Sequence, residues 1–368
     1  MFLGLATSTL ARGPNWTLRT WKQRAFAVRV NSTSGRWVTW TNPATGRKYS
    51  VYSNVNLSVY SARACNADCG FCVEKLRPAS VGVAWEESAP LLRKRINDAE
   101  YFHKLDRALS WLEPLDPSVS VTGGEPSLDP RLPQIVALLA RHHCRKRTLT
   151  SNGTGFRDPR LLRLLVDAGF AHLNLSRAHY DEEVNAKLMG LEAGLLSNGE
   201  LERIAQRLRG CRLRPRLSCV LQRGGVASER DALEYLDWAA AAGFDNVVFR
   251  QLMDFDPAST LTNRVALYCQ RHRVPVAKVT RDLSRLLGSA RFRFVKQVVG
   301  YYYYVEVFRY WPVARRAKFV DVVFEEADLS FIDRDRAKPR VVPVVHELVF
   351  HPNGRTCSTW HPWKGFLF

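Results

Sequence analysis

The sequence predicts an α/β fold, a partial (βα)6 TIM-like barrel with an N-terminal β-hairpin extension and a β-rich C-terminal extension. Three observations predict it. From Val55 to about Met253, short strand-like runs alternate with helical patterns. Glycine, serine, asparagine and cysteine gather at the ends of those runs, where α/β sheets place ligands. Near Asp254 the alternation stops and β-like runs take over.

Residues 1–54 form the N-terminal extension and are rich in Trp, Thr, Ser and Arg. Two strand-like stretches, Arg36–Trp40 and Lys48–Tyr52, flank a turn supplied by Asn42, Pro43 and Gly46, which reads as a β-hairpin decorating the main fold. Residues 55–253 form the core. Its strand candidates are Asn56–Ser61, Ser118–Thr122, Arg147–Thr150, His172–Ser176, Arg216–Leu221 and Asn246–Arg250. Helical candidates lie near Ile96–Trp111, Pro130–Arg141, Pro159–Asp167, Asn198–Leu208 and Ser228–Ala242. In the last, Leu233, Tyr235, Leu236, Ala239 and Ala240 fall at helical spacing. Strands alternating with helices imply a parallel sheet with right-handed crossovers. Residues 254–368 form the C-terminal extension. Helical patches at Leu261–Cys269 and Thr280–Leu287 precede β-like runs at Arg291–Val299, Tyr301–Arg309, Phe319–Phe324 and Glu347–Phe350. Gly300 and the His351–Gly354 segment supply turns, and the region is expected to pack on the sheet.

With 368 residues, 46% of them hydrophobic, the chain can bury a sizeable core. No apolar run approaches the ~20 residues of a membrane-spanning helix, so no membrane partner is expected. The segment Met1–Ala11 lacks a basic start and a small-residue cleavage site, which argues against a signal peptide. The net charge of +19 has two readings. One is a basic surface for nucleic acid or a phosphorylated substrate. The other is an arginine-biased composition with no ligand, and the scatter of basic residues outside Arg141–Arg147 and the group Arg315, Arg316 and Lys318 suits it. Of the eight cysteines, three fall within eight residues and five are dispersed. That pattern suits a metal site in a reducing cytoplasm better than a disulfide framework.

The clustered cysteines are Cys65, Cys69 and Cys72, in the order C-x3-C-x2-C. Thiolates are soft ligands for iron–sulfur clusters or zinc. Three in one short loop can hold three corners of a cubane and leave the fourth iron open, and Gly70 lets the loop turn tightly. A zinc site would need a fourth ligand, and His103 is a lone candidate in a helical stretch. Gly123, Gly124, Glu125 and Pro126 end the second strand, where two glycines open the backbone to a ligand. Ser151 and Asn152 end the third strand, and Ser176 and Arg177 end the fourth, where hydroxyl and guanidinium groups can bind a carboxylate. Arg250 ends the sixth and could face the cavity. Each segment also reads as an ordinary turn or helix start.

This ordered set, with Phe71 before the last cysteine, resembles the radical S-adenosyl-L-methionine (radical SAM) superfamily of the single-cluster type over roughly residues 55–252. The resemblance implies a [4Fe-4S] cluster on Cys65, Cys69 and Cys72. It implies S-adenosyl-L-methionine contacts from Phe71, Gly123, Gly124, Glu125, Pro126, Ser151, Asn152, Ser176, Arg177 and Arg250. It implies an oxidoreductase that cleaves this cofactor reductively and abstracts hydrogen from substrate, fed by an external electron donor of flavodoxin or ferredoxin type. A small-molecule substrate is the leading expectation. An RNA- or peptide-modifying enzyme is the alternative, with a non-catalytic Fe–S or zinc protein that binds nucleic acid as the third. His179, Tyr180, Asp181 and Glu182 offer acid, base or substrate contacts, or simply an acidic helix start. Tyr301–Tyr304 and the segment His351–Trp360 could cap the barrel mouth.

Overall fold

A computed structural model describes residues 37–61, 65–72, 96–191, 193–254, 264–286, 289–299, 303–313, 319–327, 329–360, 362 and 364–368. The predicted turn at Gly300, with Tyr301 and Tyr302, lies outside these residues, as do Met1–Ala11, the start of the Leu261–Cys269 patch and Arg315, Arg316 and Lys318.

Among the described residues, β1 (Trp37–Thr41) and β2 (Lys48–Tyr52) form the expected antiparallel hairpin, with Trp40 opposite Tyr49. The core then runs β3 (Asn56–Tyr60), α1 (Asp98–Leu112), β4 (Ser118–Thr122), α2 (Leu132–Arg141), β5 (Lys146–Ser151), α3 (Pro159–Asp167), β6 (His172–Ser176), α4 (Glu182–Met189), α5 (Asn198–Arg207), β7 (Arg214–Leu221), α6 (Glu229–Ala241) and β8 (Asn246–Gln251). Strands β3 to β8 pair in parallel in chain order. The helix starts follow from local chemistry. Asn97 caps α1, Asp158 caps α3, and Ser197 and Ser228 form capping boxes at α5 and α6.

The C-terminal region continues α7 (Arg264–His272), α8 (Val276–Leu283), β9 (Phe292–Val299), β10 (Tyr303–Tyr310), β11 (Val320–Ala327), α9 (Leu329–Arg336), β12 (Val344–Val345), β13 (Leu348–Phe350) and β14 (Thr356–Cys357). It does not lie on the sheet as a separate layer. It extends both edges: β11 pairs in parallel with β8 and carries β10 and β9, while β13 pairs in parallel with β3 and carries β14. Strand β12 joins the hairpin at β2. The reason is that a parallel edge leaves unpaired backbone groups, and these strands satisfy them.

Each core strand has two chemically distinct faces. Leu57, Val59, Val119, Val121, Leu149, Leu173 and Leu175 are at most 1% exposed and join the apolar side chains of the helices in one core. The alternate positions, Ser58, Ser120, Thr148, Thr150, Asn174 and Ser218, face the opposite way and are polar. The sheet curls around that polar face. Tyr303 on β10 is within electrostatic reach of Tyr52 and of Arg145 beside β5, although five strand spacings of about 4.8 Å would part β10 from β5 in a flat sheet. No helix among the described residues is long and apolar enough to cross a membrane.

Integration of the C-terminal strands gives a direct expectation. Phe350 is fully buried on β13 and packs edge-on to Tyr101 of α1, their centroids 5.2 Å apart. Phe350→Ala is expected to cost about 3 kcal/mol in equilibrium urea unfolding and to shift one common transition. A separate early transition, with the core midpoint unmoved, would contradict this.

On the helix-side face of β10, burial pushes the Glu306 carboxyl up to about 8, against a hydrogen bond from Tyr304 and with nearby Glu326 adding to the rise. The folded chain therefore holds a proton that the unfolded chain releases near 4.5. This stabilisation is complete below that value and is lost as pH rises through about 8. Thermal melts should show Tm falling between pH 6 and 9, and Glu306→Gln should flatten that fall. Equal slopes in both proteins would contradict it.

Candidate functional site

The segments that follow β3, β4, β5, β6 and β8 sit at one end of the sheet, because parallel strands point the same way and each strand ends there. The cysteine loop follows β3. Gly123–Pro126 follow β4, with Gly123 at φ 89° and Gly124 at φ 57°. A Cβ on Gly123 would fall 2.5 Å from the Tyr60 ring, so the close approach of turn and ring requires glycine. Pro126 opens a single 3-10 turn, Pro126–Leu128, rather than the helix itself.

Glu125 is 2% exposed and braces two strand ends. Its Oε1 accepts from Ser127 N at 2.9 Å, Ser127 Oγ at 2.6 Å and Ser151 Oγ at 2.5 Å. Its Oε2 accepts from Asn152 N at 2.6 Å. Burial pushes the carboxyl above its ordinary value, and the four hydrogen bonds oppose that shift. Ser151 in turn accepts from Gly153 N at 2.8 Å.

Asn152 ties this brace to the cysteine loop. Its Nδ2 donates to Asn66 Oδ1 at 2.8 Å, and Thr154 N donates to its Oδ1 at 3.0 Å. Asn66 Nδ2 donates to Thr154 Oγ1 at 3.1 Å. On its other side the loop rests on the end of α4, where Asp68 N donates to the carbonyls of Met189 and Gly190 at 3.1 and 3.0 Å. Phe71 packs toward Tyr268 of α7, with centroids 6.4 Å apart. A Cβ on Gly70 would meet that tyrosine ring at 2.5 Å. Tyr268 is itself fixed by donating to Gln222 Oε1 at 2.8 Å.

The remaining predicted residues part company. Ser176 stays on the polar face. Arg177, one residue later, turns to the helix side: its Nη1 donates to Leu196 O at 2.9 Å, its Nη2 to Asn198 Oδ1 at 2.6 Å, and it lies 5.7 Å from the Trp238 ring. Arg250 stays on the polar face and pairs with Glu325 of β11 at 3.2 Å. His179 stacks on Tyr180, and Asp181 caps α4 through Val184 N. The turn after β13, His351–Gly354, lies beside the end of β3, with His351 stacked near Tyr60.

Sequence reasoning missed several supports. Asn66 and Thr154 make the link to the loop; the Asn152–Gly153–Thr154 order is a side-chain-to-backbone turn signal that could have found one of them. Arg131 is 4% exposed, pairs with Asp129 at 2.9 Å and donates to the Ser61 carbonyl just before the loop. Nothing in its sequence context marks it.

The donor set fits an iron–sulfur cluster. The loop offers three thiols and is held from three sides, by Asn152, by the end of α4 and by Tyr268. The two glycines with positive φ bare the backbone at the end of β4, the strand paired with β3, which leads into the loop. Glu125→Gln would place an amide nitrogen among donors. It is expected to destabilise the protein by about 1–3 kcal/mol in denaturant titrations at pH 7. A wild-type midpoint would refute the brace.

Residues 59–254, just over half of the 368-residue chain, match the family model of the radical SAM superfamily. No curated protein matches the chain. Among solved structures, it is similar to coproporphyrinogen III oxidase (HemN) from Escherichia coli, a radical SAM enzyme. The identity is 12% over 70% of this chain and 67% of that one, with a TM-score of 0.40. It is similar to the radical SAM methyltransferase TsrM from Kitasatospora setae, at 12% identity over 66% of this chain and 42% of that one, with a TM-score of 0.38. It is also similar to BtrN in complex with AdoMet and 2-DOIA, at 20% identity over 33% of this chain and 45% of that one, with a TM-score of 0.25. The chain spans less than half the length of the last two. The family match and the strand-end site lead to one conclusion: the chain belongs to the radical SAM superfamily.

Proposed function

We propose that the mouth of this barrel holds a [4Fe-4S] cluster on Cys65, Cys69 and Cys72, with S-adenosyl-L-methionine beside it, and that the substrate is a small molecule taken into the polar barrel interior. When bound, the cluster supplies the electron that breaks the sulfonium C–S bond of S-adenosyl-L-methionine, and hydrogen abstraction from substrate follows. The observation that carries the reading is the Asn66–Asn152 hydrogen bond of 2.8 Å, which joins the cysteine loop to the braced ends of β4 and β5.

This chain's residues would do the rest. The bared backbone at Gly123 and Gly124 can hydrogen-bond the amino-acid part of the cofactor. Ser176, a polar side chain at the end of β6, can hold its carboxylate. Glu125, Ser151 and Asn152 are spent on each other and act as positioning residues. Arg177 packs into the helix layer and positions α5 through Asn198. Phe71 and Tyr268 wall one side of the loop and help exclude water. Arg250 stands on the interior wall with Glu325. A reductant of flavodoxin or ferredoxin type would deliver electrons to the mouth, where Cys65 is exposed.

The small-molecule reading rests on the interior. Midway along β3 to β7 the inward side chains Ser58, Ser120, Thr148, Thr150, Asn174 and Ser218 are short hydroxyls and an amide, which leave room and donors where an ordinary barrel is filled by branched apolar residues. Anaerobic reconstitution with iron and sulfide, followed by dithionite and S-adenosyl-L-methionine, should yield 5′-deoxyadenosine from wild type. The triple Cys65/Cys69/Cys72→Ala variant should yield none. No product from wild type, or equal product from the variant, would sink the proposal.

A further inference from the structure

Opposite the mouth, the floor of the barrel interior is cationic. Lys146 opens β5, His172 opens β6, and Arg214 and Arg216 open β7. Register puts all four on the polar face: Thr148 lies opposite His172, His172 opposite Arg214, and Asn174 opposite Arg216. Arg216 Nε donates to Asn246 Oδ1 at 2.6 Å, and its Nη2 lies 3.2 Å from His172 Nε2. A guanidinium can only donate, so this imidazole nitrogen is the acceptor and His172 is neutral.

The acids nearby are already taken. Glu325 pairs with Arg250 at 3.2 Å, Asp245 with Arg214 at 3.2 Å, and Asp321 with Arg309 at 2.9 Å. Among the described residues no carboxylate pairs with Lys146, Arg216 or Lys296. Half-buried cations without a counter-ion repel one another. Burial, then Arg216 and Lys296, bring Lys146 down to about 8; burial, then Arg250, brings Arg216 down to about 10 although Glu325, which pairs with Arg250, pulls the other way.

The next level up is built for a ligand too. Asn174 is 8% exposed, and its Nδ2 donates to Thr150 Oγ1 at 3.3 Å while its Oδ1 has no partner. Exchanging the amide ends leaves the nitrogen unpaired instead. Either way, one buried polar atom lacks a partner at a position that register places on the interior face.

We propose that this floor binds an anionic group of the substrate, a phosphate or a carboxylate, with Lys146 and Arg216 as its direct ligands, His172 as the positioning residue for Arg216, and Asn174 contacting the substrate one level above. Strand β6 rises about 13 Å from His172 to Ser176 at ~3.3 Å per residue. The substrate therefore reaches roughly that far from its anion to the carbon facing the cofactor. This orientation rests on the cofactor lying at the strand ends, as proposed above.

The test measures binding of inorganic phosphate, pyrophosphate and glutarate to the reconstituted protein by calorimetry and thermal shift. At least one anion should bind wild type. Lys146→Gln and Arg216→Gln should weaken it at least tenfold, while Arg163→Gln, on the exposed side of α3, should not. Lys146→Gln should melt no lower than wild type, since it removes a repelled cation, so its loss of binding is not misfolding. Binding of the phosphates alone identifies a phosphorylated substrate, and of glutarate alone a carboxylate. No binding to wild type, or full binding to Lys146→Gln, would overturn the proposal. Cofactor cleavage without anion binding would refute the floor alone. Anion binding without cleavage would refute the cofactor reading and leave the anion site standing.

Discussion

One buried carboxylate holds the mouth of the barrel together. Glu125 collects four hydrogen bonds from Ser127, Ser151 and Asn152, and so joins the end of β4 to the end of β5. The bond from Asn152 to Asn66 extends that brace into the cysteine loop. A buried carboxylate is costly unless its lone pairs are filled, so this arrangement is either complete or strongly unfavourable. The consequence is a cysteine loop whose shape is fixed by groups outside it. A cysteine loop hung only on its own turns would have to order itself around its cluster. This one is ordered by the sheet beneath it.

The sheet has the complementary property. Its outer face is an apolar core shared with the helices, and it carries the stability. Its inner face, from β3 to β7, is left polar. The C-terminal strands complete this plan by closing both edges of the sheet, and β11 with β10 brings valines and an Arg250–Glu325 pair to the far wall. The interior thus runs from the cysteine loop at the mouth, where Cys65 is exposed, through hydroxyls and an amide, to Lys146 and Arg216 at the floor, which no carboxylate among the described residues pairs. A substrate lying along it would meet apolar contact on one wall and hydrogen-bond donors on the other.

Much of this was legible in the sequence, for physical reasons. The strand-like runs Ser118–Thr122 and His172–Ser176 and the helical spacing within Ser228–Ala242 are local patterns, and the elements form there. Strand alternation could have placed Arg177: if Ser176 faces inward, its neighbour must face the helices. Helix α4 is only eight residues long and half polar, so only its acidic start at Asp181 and Glu182 shows in the sequence. The two- and three-residue strands β12, β13 and β14 are too short to carry a period. The parallel joining of β13 to β3 and β11 to β8 depends on contacts distant in sequence, which no local pattern encodes. The brace on Glu125 has the same character, since Ser151 lies 26 residues away.

In the proposed function, the three-cysteine loop presents a [4Fe-4S] cluster with one iron open to S-adenosyl-L-methionine. Electron paramagnetic resonance of the reduced, reconstituted protein, recorded with and without that cofactor, addresses it most directly. The expected result is a [4Fe-4S] signal whose g-values shift when S-adenosyl-L-methionine is added. A cluster signal indifferent to the cofactor, or no iron–sulfur signal from a protein with all three cysteines intact, would contradict it.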